Sequence, residues 1–318
     1  MALPSNALFR RKANLLLVQG EQALDLSEFR FTFKTSQADL ESPNTCEIRV
    51  YNVSKETMDK VQAEFSRVVV QAGYEGDTFG VIFDGTIRWW RKGKESSMKD
   101  TYLDILAADG DLPYNNAKVQ KSLAAGSTVK DRLTVIESSF KELGLSIGYD
   151  GISAGDASAL TRGKVMFGLA KTMMGTVTRT QKSTWSIQNG KINIIKLDSY
   201  MPGQVVVMNR DTGLIGRPEQ TAEGIRVRHL LNPKLYCGGL VQIDNASINQ
   251  TAAAQANKKA SLAYNSWSEP SYVADVSADG YYRLYVVEHT GDTRGGDWYS
   301  DLTCLKADSV TRKVKPYG

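Results

Sequence analysis

The sequence predicts a mainly β fold that carries an α+β insert. Three observations lead there. Apolar and polar residues alternate through residues 13–110 and again through 201–318, the pattern of half-buried strands. Between them, residues 111–200 hold the chain's best helical stripe and an Asn-Gly hairpin. Gly, Asp and Lys turns punctuate both strand regions at short intervals.

In the first region, FRFTFKT sets Phe29, Phe31 and Phe33 against polar neighbours, and TCEIRVYNVS does the same with Cys46, Ile48 and Val50. Ser54 is placed to cap a short helix, KETMDKVQAEF, in which Met58, Val61 and Phe65 recur at helical spacing. RVVVQAGY, VIFDGTIRWW and TYLDILAADGD follow as strands, with the charged stretch RKGKES read as a turn. Strands in this rhythm, interrupted by one helix, suit a small barrel or sandwich.

In the middle region, GSTVKDRLTVIESSFKELGL reads as a helix with Ser127 as its N-cap. Val129, Leu133, Ile136, Phe140 and Leu143 form its apolar stripe, and Gly144 stands just past its end. KVMFGLAKTMMG reads as a second helix. STWSIQNGKINIIKL is a hairpin turning on Asn189–Gly190, because both residues accept the positive φ of a type I′ turn. The predicted unit is two helices against a hairpin.

In the last region, GQVVVMN, GIRVRHLL, GGLVQID, GYYRLYVVEHT and DWYSDLTCLKA read as strands. Residues 245–280, rich in Ala, Asn, Gln and Ser, carry no periodic core and are expected to form a loop or arm that a partner orders. The expected division is therefore 1–112, a β-barrel domain with one short helix; 113–200, a small α+β insert; and 201–318, a second β-barrel domain with the arm. The two β regions are alike in size and style, which hints at duplication, although no short-period repeat is present.

Bulk properties narrow the function. The 318 residues are ample for a real core. The 39 basic and 35 acidic residues are interspersed, for a net charge of +4, whereas a surface-wide polyanion binder is normally more lopsided. Cys46, Cys237 and Cys304 are scattered and make no CxxC pair, so reduced, partly buried thiols of a cytosol-made protein are expected rather than a zinc knuckle or dithiol site. The opening MALPSNALFRRKANLLLVQG lacks a signal peptide's order, and no apolar run approaches the roughly 18 residues of a membrane span. No stable membrane anchor is expected.

One stretch has the raw material of an active site. HTGDTRGGDW brings His289 together with Asp292 and Asp297, and Asp301 follows, a set that a hydrolase or protease could use for acid–base chemistry. Its flanks point elsewhere. Tyr282, Leu284 and Val286 alternate on one side, and Trp298, Ser300, Leu302 and Cys304 on the other. A long antiparallel hairpin with a Gly/Asp tip explains the whole stretch. The other histidine, His229, lies about 60 residues away, and HxH, HxxxH and HExxH are absent, so no metal site is assigned. Neither GxxxxGK[ST] nor GxGxxG occurs, and no catalytic or cofactor-binding residue is assigned. RWWRKGK (Arg88–Lys94) mixes two tryptophans with four basic residues, as a nucleic-acid patch would. The simpler reading is a strand end with one indole on each face.

Several segments, taken in chain order, resemble one family. ADLESPNTCEIRVYNVSKET resembles a strand closing on an xIxIYNLSxxT pattern, and VIFDGTIRWW through TYLDILAADGD is similar to the run that follows it. TWSIQNGKINII, GLIGRPEQTAEGIRVRHLLNPKLYCGGLVQID and YRLYVVEHTGDTRGGDWYSDLTC resemble three further segments of the same proteins. These are the baseplate hub proteins of contractile-tailed bacteriophages, related to the tube-facing part of type VI secretion spikes. The resemblance covers most of the chain and is weakest over 245–280. It implies two related β-barrel domains that, in a homotrimer, form a pseudo-sixfold ring joining a sixfold tail tube to a threefold central spike. It further implies contacts with the tail tube or a tube-initiator protein, the spike and other baseplate proteins. DNA would be passing cargo only. The location would be the virion's tail baseplate, with the host cytoplasm during assembly. The family brings no catalytic residue and no cofactor. The rival expectation is a tail-associated cell-wall hydrolase or protease using His289 and the nearby aspartates.

Overall fold

A computed structural model describes residues 10–75, 78–95, 100–152, 159–249, 276–277 and 279–307. The first region forms β1 (Arg11–Gln19), β2 (Gln22–Asp25), β3 (Phe31–Ala38), β4 (Thr45–Tyr51), α1 (Lys55–Glu64), β5 (Arg67–Tyr74), β6 (Phe79–Lys94) and β7 (Thr101–Ala108). The middle forms α2 (Asp111–Asn116), β8 (Lys118–Leu123), α3 (Val129–Lys141), β9 (Ser146–Asp150), β10 (Lys164–Leu169), α4 (Ala170–Thr180), β11 (Ser183–Gln188) and β12 (Lys191–Lys196). The last forms β13 (Val206–Met208), β14 (Leu214–Gln220), β15 (Ile225–Leu230), β16 (Leu240–Ile243), β17 (Tyr281–Asp292) and β18 (Trp298–Lys306). The chain is mainly β with an α+β insert. Most of the expected arm at 245–280 lies outside the described residues.

The strands of both β regions join one sheet in the order β14-β15-β18-β17-β3-β4-β7-β6-β5-β1-β2, with β16 on β17 and β13 parallel to β16. The sheet curls, because Leu15 and Leu17 of β1 share a core with Phe31 and Phe33 of β3. That first core also takes Leu231 and Trp298 from the last region. A second cluster around Trp185, Phe140 and Ile192 fills the insert, and a third around Tyr282, Leu284 and Cys304 fills the last region. Each fully buried aliphatic or Phe side chain stabilises the fold by about 1.5–3 kcal/mol.

Local chemistry accounts for most elements. Ser54 caps α1, its side chain accepting from the Thr57 amide at 3.1 Å. Asn189 and Gly190 turn between β11 and β12 with φ of 51° and 73°, as a type I′ turn demands. Four details differ from the sequence reading. The cap of α3 is Thr128, one residue past Ser127: its hydroxyl accepts from the Asp131 amide while the Asp131 carboxylate accepts from the Thr128 amide, a reciprocal box. Leu143 lies beyond the last turn of α3 and is exposed, and Leu145 fills the core in its place. The stretch read as a second helix is split, since Lys164–Leu169 is a strand paired with β8 and only Ala170–Thr180 is helical. The charged stretch after Trp90 stays extended to Lys94 and pairs with β7.

Two junctions hold these parts together. In the first, β17 crosses from one β region to the other. Its residues Tyr281–Arg283 pair with β16, and Val286–Asp292 pair with β3. The change of partner coincides with a bulge at Tyr285, which shifts the alternation. Val287 and His289 are therefore buried, where an unbroken strand would have buried Val286. In the second junction, side chains tie the insert to the sheet. Asn44 donates to the Ile187 carbonyl at 2.7 Å and to the Gln188 side chain at 3.0 Å. Asp109 accepts from the Gly190 amide at 2.9 Å. Arg283 grips Asp39 and donates to the Lys196 and Ser199 carbonyls, and Thr184 also reaches Asp39. Asp39, Asn44, Asp109 and Arg283 are all buried.

Candidate functional site

The hairpin of β17 and β18 is the one place where the sequence gathers acid–base groups, so its geometry decides between chemistry and contact. His289 is 1% exposed. Its Nδ1 lies 2.8 Å from the Ser300 hydroxyl, and its backbone amide donates to Thr35 Oγ1 at 3.1 Å. Ser300 pairs on its other side with His229, so the two histidines flank one serine across three strands. Thr35 on β3 continues the row. His229, Ser300 and Thr35 are fully buried. The His229 ring meets the Leu230 carbonyl at 2.6 Å through Nδ1, and the Thr212 backbone also acts on the ring. Burial pushes the His289 pKa down to about 4, and burial lowers His229 as well. Both rings are neutral, closed off from solvent, and pack as core.

The aspartates do not converge on His289. Asp301 shares the opposite face of the sheet with Arg228, which binds it through two bonds of 2.7 and 3.0 Å and stacks over Tyr299. Asp292 is held by Arg30 at 2.8 Å, and that hydrogen bond keeps its carboxyl below the usual carboxylate range. The Asp292 carboxylate also accepts the Arg294 amide, while Arg11 donates to the Gly295 and Gly296 carbonyls. These bonds lash the tip, 293–297, onto β1 and the start of β3. Two glycines of HTGDTRGGDW serve packing. A Cβ at Gly291 would collide with Phe33 and Trp298, whose rings meet edge-on at 5.6 Å, and one at Gly295 would collide with Asp292. The hydrolase set of His289, Asp292, Asp297 and Asp301 is thus not assembled, because strand alternation sends its members to different faces.

Beside the hairpin lies an open groove of about 500 Å³ on the outer face of the sheet, lined by Thr32, Lys34, Glu47, Arg49, Trp89 and Asp297 among others. Its charges are largely matched. Asp104 accepts from Arg49 at 2.6 Å and Arg91 at 2.8 Å; burial would raise its pKa, but the two arginines lower it on balance. The same matching answers the nucleic-acid reading of Arg88–Lys94. Arg88 pairs with Asp111, Arg91 with Asp104 and Lys92 with Asp59. Trp90 packs on the first core, while Trp89 is half exposed beneath Arg91.

One grouping was not legible in the sequence. The His229–Ser300–His289 row depends on strand register between distant segments. The three thiols are all buried and free, and burial pushes the Cys304 thiol up to about 12. The string GISAG at 151–155 has the spelling of a nucleophile elbow. It follows strand β9, but its serine lies outside the described residues. Among the described residues no group of three or more His, Cys, Asp or Glu could hold a metal, and no helix is long and apolar enough to cross a membrane.

No family model matches the sequence, and no curated protein matches it. Solved structures do. The 43 kDa tail protein of prophage MuSo2 from Shewanella oneidensis superposes with a TM-score of 0.56 at 7% identity, over 93% of this chain and 99% of that one. A tail protein from Neisseria meningitidis MC58 superposes at 0.54 and 8% identity, over 93% and 96%. An Escherichia coli component of the type VI secretion system, described as structurally similar to the T4 bacteriophage tail proteins gp27 and gp5, superposes at 0.50 and 8% identity, over 89% of this chain and 75% of that one. At such low identity the likeness speaks for architecture alone: the chain has the β-rich fold of these phage tail proteins and of the secretion component similar to gp27 and gp5.

Proposed function

We propose that the chain is a non-enzymatic structural part of a phage tail: the baseplate hub, a homotrimer that joins the sixfold tail tube to the threefold central spike around the DNA channel. The observation that carries the reading is the extent of the fold match, which spans nearly the whole of this chain and nearly the whole of two tail proteins. The ordered motifs of the sequence support it from a separate direction, and the closed His289 row supports a non-catalytic role for the hairpin. Three core clusters support the division into 1–112, 113–200 and 201–318, with the two β regions as the barrels of the ring and 245–280 as an arm. On this reading the partners are tail tube or tube-initiator, spike and other baseplate proteins. DNA passes without stable binding, and the site is the virion tail, reached from the host cytoplasm.

The test is mass in solution by sedimentation, alone and mixed with tube and spike proteins of the same genome. A trimer, or trimerisation on mixing, is expected. A chain that stays monomeric in every mixture overturns the hub reading. Zymography on peptidoglycan separates the rival: clearing that disappears in His289→Ala would restore the hydrolase.

A further inference from the structure

The most exposed large apolar side chains among the described residues sit together in the insert. Phe167 is 75% exposed and Val165 is 73% exposed. Both lie on β10, which among the described residues pairs only with β8, so the two strands form a ribbon whose outer edges have no strand neighbour among those residues. Register puts Val165 opposite Ser122 and Phe167 opposite Gln120, so these four residues share the outer face. The inner face is anchored by Val119 and Met166 in the insert's core. Cations border the ribbon on both faces: by alternation Lys118 joins the outer face, and Lys121 and Lys164 fall on the other. Lys118 and Lys121 on β8, and Arg162 and Lys164 at the start of β10, stand in segments 117–127 and 159–171 that contain no Asp or Glu. None of these four makes an ion pair among the described residues, although cations elsewhere in the molecule are repeatedly matched with carboxylates.

We infer that this ribbon is a docking surface for an extended, acidic strand of another protein, which adds to a free edge of β8 or β10 and covers Val165 and Phe167. Three features select that occupant. Free strand edges present unpaired N–H and C=O groups that an added strand satisfies. The exposed Phe and Val offer the apolar anchor that a hot spot needs. The unmatched cations select carboxylates, by charge complementarity that sets specificity and on-rate. An anionic membrane would attract the same charges, but lipid cannot hydrogen-bond the edge groups it would cover. The surface belongs to the insert, so the inference stands whether or not the hub reading holds.

The test uses the full chain as bait for a random peptide library, with Phe167→Asp as counter-bait. Enriched peptides that alternate apolar and acidic residues are expected. They should weaken by at least about ten-fold against Phe167→Asp and against the double variant Lys118→Glu, Lys121→Glu. They should also slow amide exchange within 118–123 or 164–169, and circular dichroism should show both variants folded. Enrichment of neutral or basic peptides, no enrichment, or binding indifferent to these variants overturns the inference. So does retention on phosphatidylglycerol vesicles that Phe167→Asp abolishes, which would make the patch a membrane contact. A self-association lost in the same variant would make it a contact between copies.

Discussion

The two junctions solve one problem with different chemistry. Where the β regions meet, β17 lies along β3 and the bonds are mainly backbone ladder, topped by an ion pair of Arg30 and Asp292 at the hairpin tip. Where the insert meets the sheet, buried side chains carry the contact: Arg283, held by Asp39, donates to the Lys196 and Ser199 carbonyls, Thr184 donates to Asp39, Asn44 bonds the β11 end, and Asp109 accepts from the Asn189–Gly190 turn. A ladder places every polar group automatically and tolerates most side-chain changes. A buried polar network holds geometry strictly and is costly when one member is lost. The insert junction should therefore be the sensitive one, both to mutation and to pH.

The largest effect should come from Asp39→Ala. It strands the Arg283 guanidinium, 5% exposed, without its carboxylate, and should cost about 3–5 kcal/mol in urea unfolding. A loss below about 1 kcal/mol would erase the contrast. Next is Asp109, whose carboxyl is pushed up to about 7 mainly by burial, against the pull of the Gly190 and Asn189 amides. A raised folded-state pKa means that the native state holds the proton longer than the unfolded chain. Stability is then lost as pH rises from about 4 to about 7, by up to about 4 kcal/mol. Asp109→Asn keeps an acceptor for Gly190 and should remove that loss, so it should exceed the wild type at pH 8 and not at pH 4.

His289, at the sheet junction, runs the other way. Its pKa is about 4 in the fold against an ordinary 6.5, so below about 6.5 the unfolded chain takes a proton that the native state refuses. Stability should fall by about 3 kcal/mol between pH 6.5 and 4. His289→Gln, which can still meet Ser300, should flatten that limb whatever it does at neutral pH. The smallest effect is expected of Arg30→Ala. Its guanidinium is nearly half exposed, and a screened pair of this kind should cost below about 1 kcal/mol in thermal unfolding. If it cost more than Asp39→Ala, the ladder would not be the tolerant junction.

The sequence was most readable where structure follows from neighbours. Phe31 and Phe33, Cys46 and Ile48, and the Asn189–Gly190 turn declare themselves by alternation or by φ. It was least readable where a distant partner decides. Lys164–Leu169 is apolar enough for a helix, and it is β8 that makes it a strand. The Tyr285 bulge moved burial from Val286 to Val287, and only the change of partner strand explains it. The meeting of His229 and His289 over Ser300 needed the register of three strands, which no local pattern encodes. The catalytic look of HTGDTRGGDW dissolved for the same reason, since alternation parted Asp301 from His289. Thr128 and Ser127 were adjacent capping candidates, and only the reciprocal bond with Asp131 chooses between them.

The pairing of β3 with β17 also sets an order of events. Thr35 and His289 are 254 residues apart in the chain, yet adjacent in the sheet. While a ribosome is still making the last region, β3 has β4 on one side and nothing on the other, and Phe33 lacks Trp298. The first region thus waits, with an open edge, until nearly the whole chain has emerged. Contacts of such long range close slowly, and an unpaired edge in the interval invites wrong partners. Truncation before residue 281 should therefore yield aggregation rather than a smaller folded piece.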